Sequence, residues 1–153
     1  MKILLPIDGS DLSLEAVRFV LRLAQSGLKT SVVLANVQEA ATLYELVVAH
    51  DPQVLAEVSA AAGAHTLQAA QTLLDEAAIA YESEVASGDP AHTIIDILES
   101  YECDLVVMGA SGTSALRSAL LGSVSNEVLH AASVPVMIVK AAPEPEPDDL
   151  APE

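Results

Sequence analysis

Short aliphatic runs alternate along this chain with longer stretches whose apolar residues recur every three or four positions. That alternation restricts the fold more than any other feature. The short runs are KILLPI at 2–7, SVVLANV at 31–37, the weakly alternating IAYESEVA at 79–86, residues 104–108, and VPVMIV at 134–139. Ser10 or Asp11 can cap a first helix carrying Leu14, Val17, Leu21 and Ala24, with Gly27 as its stop. Residues 38–52 fit either helix or loop. A long helix is predicted over 53–78, with Leu55, Val58, Ala62, His65, Ala69, Leu73 and Ala77 as its apolar stripe. Asp89 caps the next helix with Pro90 in its first turn, and Ile94, Ile95, Ile97 and Leu98 carry it to about Ser100. A last helix is predicted over 123–132. Strands and helices in this order predict an α/β fold, a parallel sheet covered on both faces.

A chain of 153 residues, 52% of them hydrophobic, can bury one core, and with one Phe and no Trp that core must be aliphatic. The charge excludes some partners. Six Lys and Arg stand against 22 Asp and Glu, a net −16, and setting aside the five acids after Lys140 still leaves −11. Such a field opposes binding to nucleic acid or to an anionic membrane surface. No apolar run reaches the ~18 residues a membrane span requires. MKILLPID is broken by Pro6 and Asp8 too early for a secretory signal, and Cys103 is the sole cysteine. The expected location is the cytoplasm. The segment 141–153, AAPEPEPDDLAPE, is acidic and Pro-rich and is expected to be a disordered tail.

In an open parallel sheet, ligands bind beyond the carboxyl ends of the strands where the winding reverses. Two polar turns fall at such ends: Asp8-Gly9-Ser10, and the stretch GASGTSALRSALLGS from Gly109 to Ser123. Glycines there let a ligand approach the main chain or permit positive φ. Free N–H groups of the loop and of a helix starting near Ser123 can hold an anion. Ser111, Thr113, Ser114, Ser118, Ser123 and Ser125 add hydroxyl donors, and Ala110, Ser111, Gly112 and Thr113 are counted among the candidate nucleotide-binding residues. Arg117 is the only Lys or Arg between Lys29 and Lys140, and it lies in this loop. A phosphate bound to so acidic a chain would need backbone dipoles, Arg117 and a divalent cation. Neither G-x-x-x-x-G-K-[ST] nor G-x-G-x-x-G is present. The alternative reading makes these glycines turn formers in a surface loop.

The spacing G-2x-G-9x-G-[ST], formed by Gly109, Gly112, Gly122 and Ser123, resembles the nucleotide signature of the universal stress protein family. ILLPIDGSDLSLEAV, GDPAHTIIDILESYECDLVVMGASG and LLGSVSNEVLHAASVPVMIVK resemble further parts of that family, so the likeness spans roughly residues 2–140. It implies an adenine nucleotide alpha hydrolase-like fold, an open five-stranded parallel sheet in the order 3-2-1-4-5. It also implies the family's ATP-binding branch, with Mg²⁺ or Mn²⁺ held through the phosphates. By that resemblance Pro6, Ile7 and Asp8 would border the adenosine, with Asp8 accepting from the ribose. Val37 would line the adenine pocket, and Met108 and Gly109 would lie beneath the ribose. Gly112, Gly122, Ser123, Val124 and Ser125 would hold the phosphates. Asn36 departs from the pattern, which often has His before the Val. The resemblance suggests a homodimer through the last strand, where VPVMIVK forms an apolar edge.

The implied function is that of a cytosolic nucleotide-dependent regulator in a stress response. The alternatives are a slow ATPase or autophosphorylating enzyme of the same fold, and a nucleotide-free interaction module. The loop offers no carboxylate or Gln to orient a water, which favours binding over turnover. His50, His65, His92 and His130 have no metal-ligand spacing. His65 is expected to pack within its helix stripe, and Cys103 to be buried and inert.

Overall fold

The computed structural model describes residues 1–111 and 121–141. Its five strands are β1 (Lys2–Pro6), β2 (Ser31–Gln38), β3 (Tyr81–Ser87), β4 (Leu105–Gly109) and β5 (Val136–Val139). All pair in parallel, in the order β3-β2-β1-β4-β5. The winding therefore reverses between β1 and β4, the two inner strands that carry the polar turns.

Helices cover both faces, as the near-continuous apolar strands require. Ile3, Leu5, Val32, Leu34, Leu105 and Val107 meet α1 (Asp11–Gln25) and α3 (Pro52–Glu76) on one face. Leu4, Val33, Ala35, Val106 and Met108 meet α4 (Pro90–Ser100) and α5 (Ser123–Ala131) on the other. Successive strand residues thus serve opposite cores, as the two-residue period of a strand dictates.

The helix ends follow their local chemistry. The Ser10 hydroxyl accepts from the Ser13 N–H at 3.2 Å, and Asp89 accepts from the His92 N–H at 3.0 Å. Gly27, at φ +103°, ends α1, its N–H donating to the Ala24 carbonyl. Residues 38–52 contain a six-residue helix, α2 (Leu43–Val48), closed by a reciprocal capping box between Thr42 and Glu45.

The stripe predicted for the long helix is out of phase. α3 buries Gly63, Leu67, Ala70 and Leu74, with Leu73 only partly covered, while Val58, Ala62, His65, Ala69 and Ala77 are exposed. His65 is therefore a surface residue and not a packed one. Alanine occurs on every side of this helix, so hydrophobic spacing alone does not choose the buried side. Gly63 does choose it. An added Cβ there would overlap Val85 Cγ1 and lie 2.9 Å from Asn36 Oδ1, so only glycine allows α3 to rest this closely on β2 and β3.

Candidate functional site

The turn after β1 forms from three local preferences. Asp8 Oδ1 accepts from the Ser10 N–H at 2.9 Å, Gly9 takes φ +86°, and Ser10 then starts α1. A Cβ on Gly9 would sit 3.3 Å from Thr66 Cγ2, so α3 also borders this turn. The Asp8 side chain is exposed. Ile7, by contrast, points its side chain into the α1–α3 core at 2% exposure. Its N–H donates to the Ala35 carbonyl at 2.8 Å, and its carbonyl accepts from Asn36 Nδ2 at 2.8 Å.

Asn36 is 3% exposed and also accepts from Gln38 Nε2 at 2.6 Å. A buried amide with both ends bonded fixes position better than any apolar replacement, because removing it would leave the Ile7 carbonyl without its partner. Sequence reasoning treated Asn36 only as a departure from a pattern. The usable signal was a lone amide inside the apolar run SVVLANV. The neighbouring Val37 is half-buried on the opposite, α4–α5 face of the sheet, where Met108 also lies at 5% exposure.

β4 ends at Gly109, where an added Cβ would lie 3.0 Å from Leu12 Cβ and 3.1 Å from the Leu12 carbonyl carbon. The first turn of α1 therefore rests on bare β4 backbone, which draws the two polar turns together. The Ala110 N–H donates to the Val139 carbonyl at 2.9 Å, and the Ala110 carbonyl accepts from the Gly122 N–H at 2.7 Å. The chain leaving β4 and the chain entering α5 are thus stitched to one another across the intervening loop. Gly122 has φ −63°, an ordinary value. Space is what it supplies, since a Cβ there would stand 3.1 Å from Ser111 Cα and 3.4 Å from the Ala110 carbonyl oxygen.

Gly122 is the N-cap of α5 and supplies no side-chain cap. Helix geometry leaves the N–H groups of Ser123, Val124 and Ser125 without intrahelical partners, and they carry the positive end of the helix dipole. The Ser125 hydroxyl is already engaged, donating to the Gly109 carbonyl at 2.8 Å, and the residue is 4% exposed. What Ser125 offers a ligand is its main-chain N–H. Replacing Ser125 by alanine is expected to cost about 0.5–1.5 kcal/mol in urea unfolding, because the half-buried Gly109 carbonyl loses that partner.

Of the residues predicted for the site, Pro6, Ile7, Asp8, Val37, Met108, Gly109, Ala110, Ser111, Gly122, Ser123, Val124 and Ser125 lie at one end of the sheet, beyond or at the carboxyl ends of β1, β2 and β4. Gly112, Thr113 and Arg117, with Ser114 and Ser118, lie outside the described residues, as does the tail from 142 onward. Among the described residues no three His, Cys, Asp or Glu side chains gather to hold a metal, and no helix is long and apolar enough to cross a membrane. Cys103 is 5% exposed in the α4–α5 core, and burial pushes its thiol above the usual range.

A model of the universal stress protein family matches residues 1–140. A curated relative, universal stress protein MJ0531 of Methanocaldococcus jannaschii, is 31% identical over 139 residues, covering 91% of this chain and 81% of the relative. Among solved structures, the hypothetical protein MJ0577 superposes with a TM-score of 0.78 at 25% identity, covering 93% of this chain and 96% of that one. A family member from Arabidopsis thaliana, solved with AMP bound, gives a TM-score of 0.68 at 20% identity, with 100% of this chain and 99% of that one covered. At that identity the second structure shares the fold, and its AMP is a property of that protein.

Proposed function

The chain belongs to the universal stress protein family, and on that premise we propose that it is a cytosolic ATP-binding regulator in a stress response, not an efficient enzyme. The observation that carries this reading is the meeting of three groups where the winding reverses. They are the exposed Asp8 carboxylate, the bare main chain at Gly109, and the α5 N-terminus opened by Gly122. A carboxylate suits ribose hydroxyls, which donate to it. The N–H groups of Ser123, Val124 and Ser125 suit phosphate oxygens, which accept from them. Val37, half-buried, adds apolar surface for an adenine base, and Met108 and Gly109 would lie beneath the ribose.

In a chain of this charge, helix dipole and main-chain N–H groups supply attraction that side chains do not, with Arg117 as the one cation of the loop. Mg²⁺ or Mn²⁺ would be held by the phosphates, since no cluster of carboxylates stands ready among the described residues. The proposed domain is residues 1–140, followed by an acidic tail. β5 forms a sheet edge on which Met137 is 36% exposed, and it is the proposed surface for a homodimer.

The test is the nucleotide content of freshly purified protein, denatured and separated from its small molecules. Stoichiometric ATP is the expected result. ADP alone would move the reading to a slow ATPase of the same fold. Protein that is empty and gives no heat on titration with Mg-ATP would overturn nucleotide binding altogether.

A further inference from the structure

α2 buries none of its residues. Leu43 is 81% exposed, Tyr44 76%, Val47 68% and Val48 54%, and in the first half of α3 Val54 and Val58 are exposed as well. Isolated apolar side chains on a surface need no explanation. So many within residues 43–58, on two helices consecutive in the chain, mark an interaction face. α2 is also held in helical form without help from a core. Its capping box has Glu45 Oε2 accepting from the Thr42 N–H at 2.7 Å and from the Thr42 hydroxyl at 2.9 Å. The cluster is therefore presented on a locally stabilised element.

Charge selects the occupant. The acids interleaved with these apolar residues are Glu39, Glu45, Asp51 and Glu57, all exposed, and no Lys or Arg occurs between Lys29 and Arg117. A second copy of this chain would bring an equal set of acids against them. The tail after Lys140 carries five acids and no cation, and an anionic membrane would be repelled in the same way. We propose that α2 and the first half of α3 form a docking face for a basic amphipathic helix of another protein, its apolar side on Leu43, Tyr44, Val47, Val54 and Val58 and its Lys or Arg on the surrounding acids. This goes beyond nucleotide binding and does not rest on it.

The experiment uses the full chain and a fluorescent synthetic peptide of leucine and lysine whose leucines recur at helical spacing. Binding is followed by anisotropy. Two variants remove the apolar surface at constant charge, Leu43→Gln with Val47→Gln, and Val54→Gln with Val58→Gln. Glutamine keeps helix propensity, and the replaced side chains are exposed, so circular dichroism and melting are expected to match the parent. The intact chain should bind the peptide, and each variant should bind roughly tenfold or more weakly. Equal binding by parent and variants would overturn the proposal, because attraction would then come from net charge alone. So would no binding by the parent. Sedimentation showing that the parent self-associates and the glutamine variants do not would also overturn it, with a second copy as the occupant.

Discussion

Replacing Gly63 by alanine is expected to destabilise this chain, although glycine to alanine inside a helix ordinarily stabilises by about 0.5–1 kcal/mol. The sign reverses because of what the new Cβ would meet. It would overlap Val85 Cγ1 and stand 2.9 Å from the Asn36 carboxamide oxygen. Val85 is a short β-branched side chain on β3, with no flexible end to swing aside. Asn36 is bonded to the Ile7 carbonyl and to Gln38 and has little freedom to yield. Overpacking of this kind costs about 1–3 kcal/mol per added group, which exceeds the gain in helix propensity. Urea unfolding should therefore show Gly63→Ala less stable than the parent by about 1–2 kcal/mol, and Gly63→Leu by about 3 kcal/mol or more. Adding Val85→Ala to Gly63→Ala should recover part of the loss, since it removes the atoms that clash. A stabilised Gly63→Ala would mean that α3 does not rest on β2 and β3 as described. The same variant bears on the site. Asn36 holds the Ile7 carbonyl and Thr66 borders Gly9, so a displaced α3 disturbs the β1 turn from two directions.

That position also shows where sequence reasoning stopped. The β/α alternation was legible because every strand except the weakly alternating β3 is a nearly unbroken aliphatic run, and the caps at Ser10 and Asp89 were legible because their chemistry is local. The strand order followed from the family resemblance and is the order observed. The buried side of α3 was not legible. Alanine is compatible with either side of a helix, and the deciding contact joins residues 63, 36 and 85, which local spacing does not relate. His65 was misplaced for the same reason. In the site, the glycine spacing was plain, but the reasons for the glycines differ by position. Gly109 and Gly122 admit Leu12 and the Ala110–Ser111 backbone, which only a three-dimensional description reveals. Likewise Ser125 reads in sequence as one more hydroxyl donor, whereas its hydroxyl ties α5 to the end of β4.

Gly122→Val should give a chain that folds and no longer responds to ATP. Its backbone, at φ −63° and ψ 159°, is open to any residue, so valine brings no conformational strain. The cost is local crowding, with the new Cβ 3.1 Å from Ser111 Cα and further methyl groups at the mouth of the α5 N-terminus. Melting without nucleotide should therefore fall by only a few degrees. For the parent, Mg-ATP at about a hundredfold over Kd adds roughly 2.7 kcal/mol, a rise of about 5–10 °C for a chain of this size. The valine variant should show none of that rise. Ser125→Ala provides the opposite case, losing stability while keeping the ATP-dependent rise, because its main-chain N–H is intact. The two variants together separate packing from binding. If Gly122→Val melts higher with ATP by the same amount as the parent, the phosphates do not sit on α5, and the proposed site is misplaced. If the parent itself shows no rise, the glycines serve only to bring β4 and α5 together.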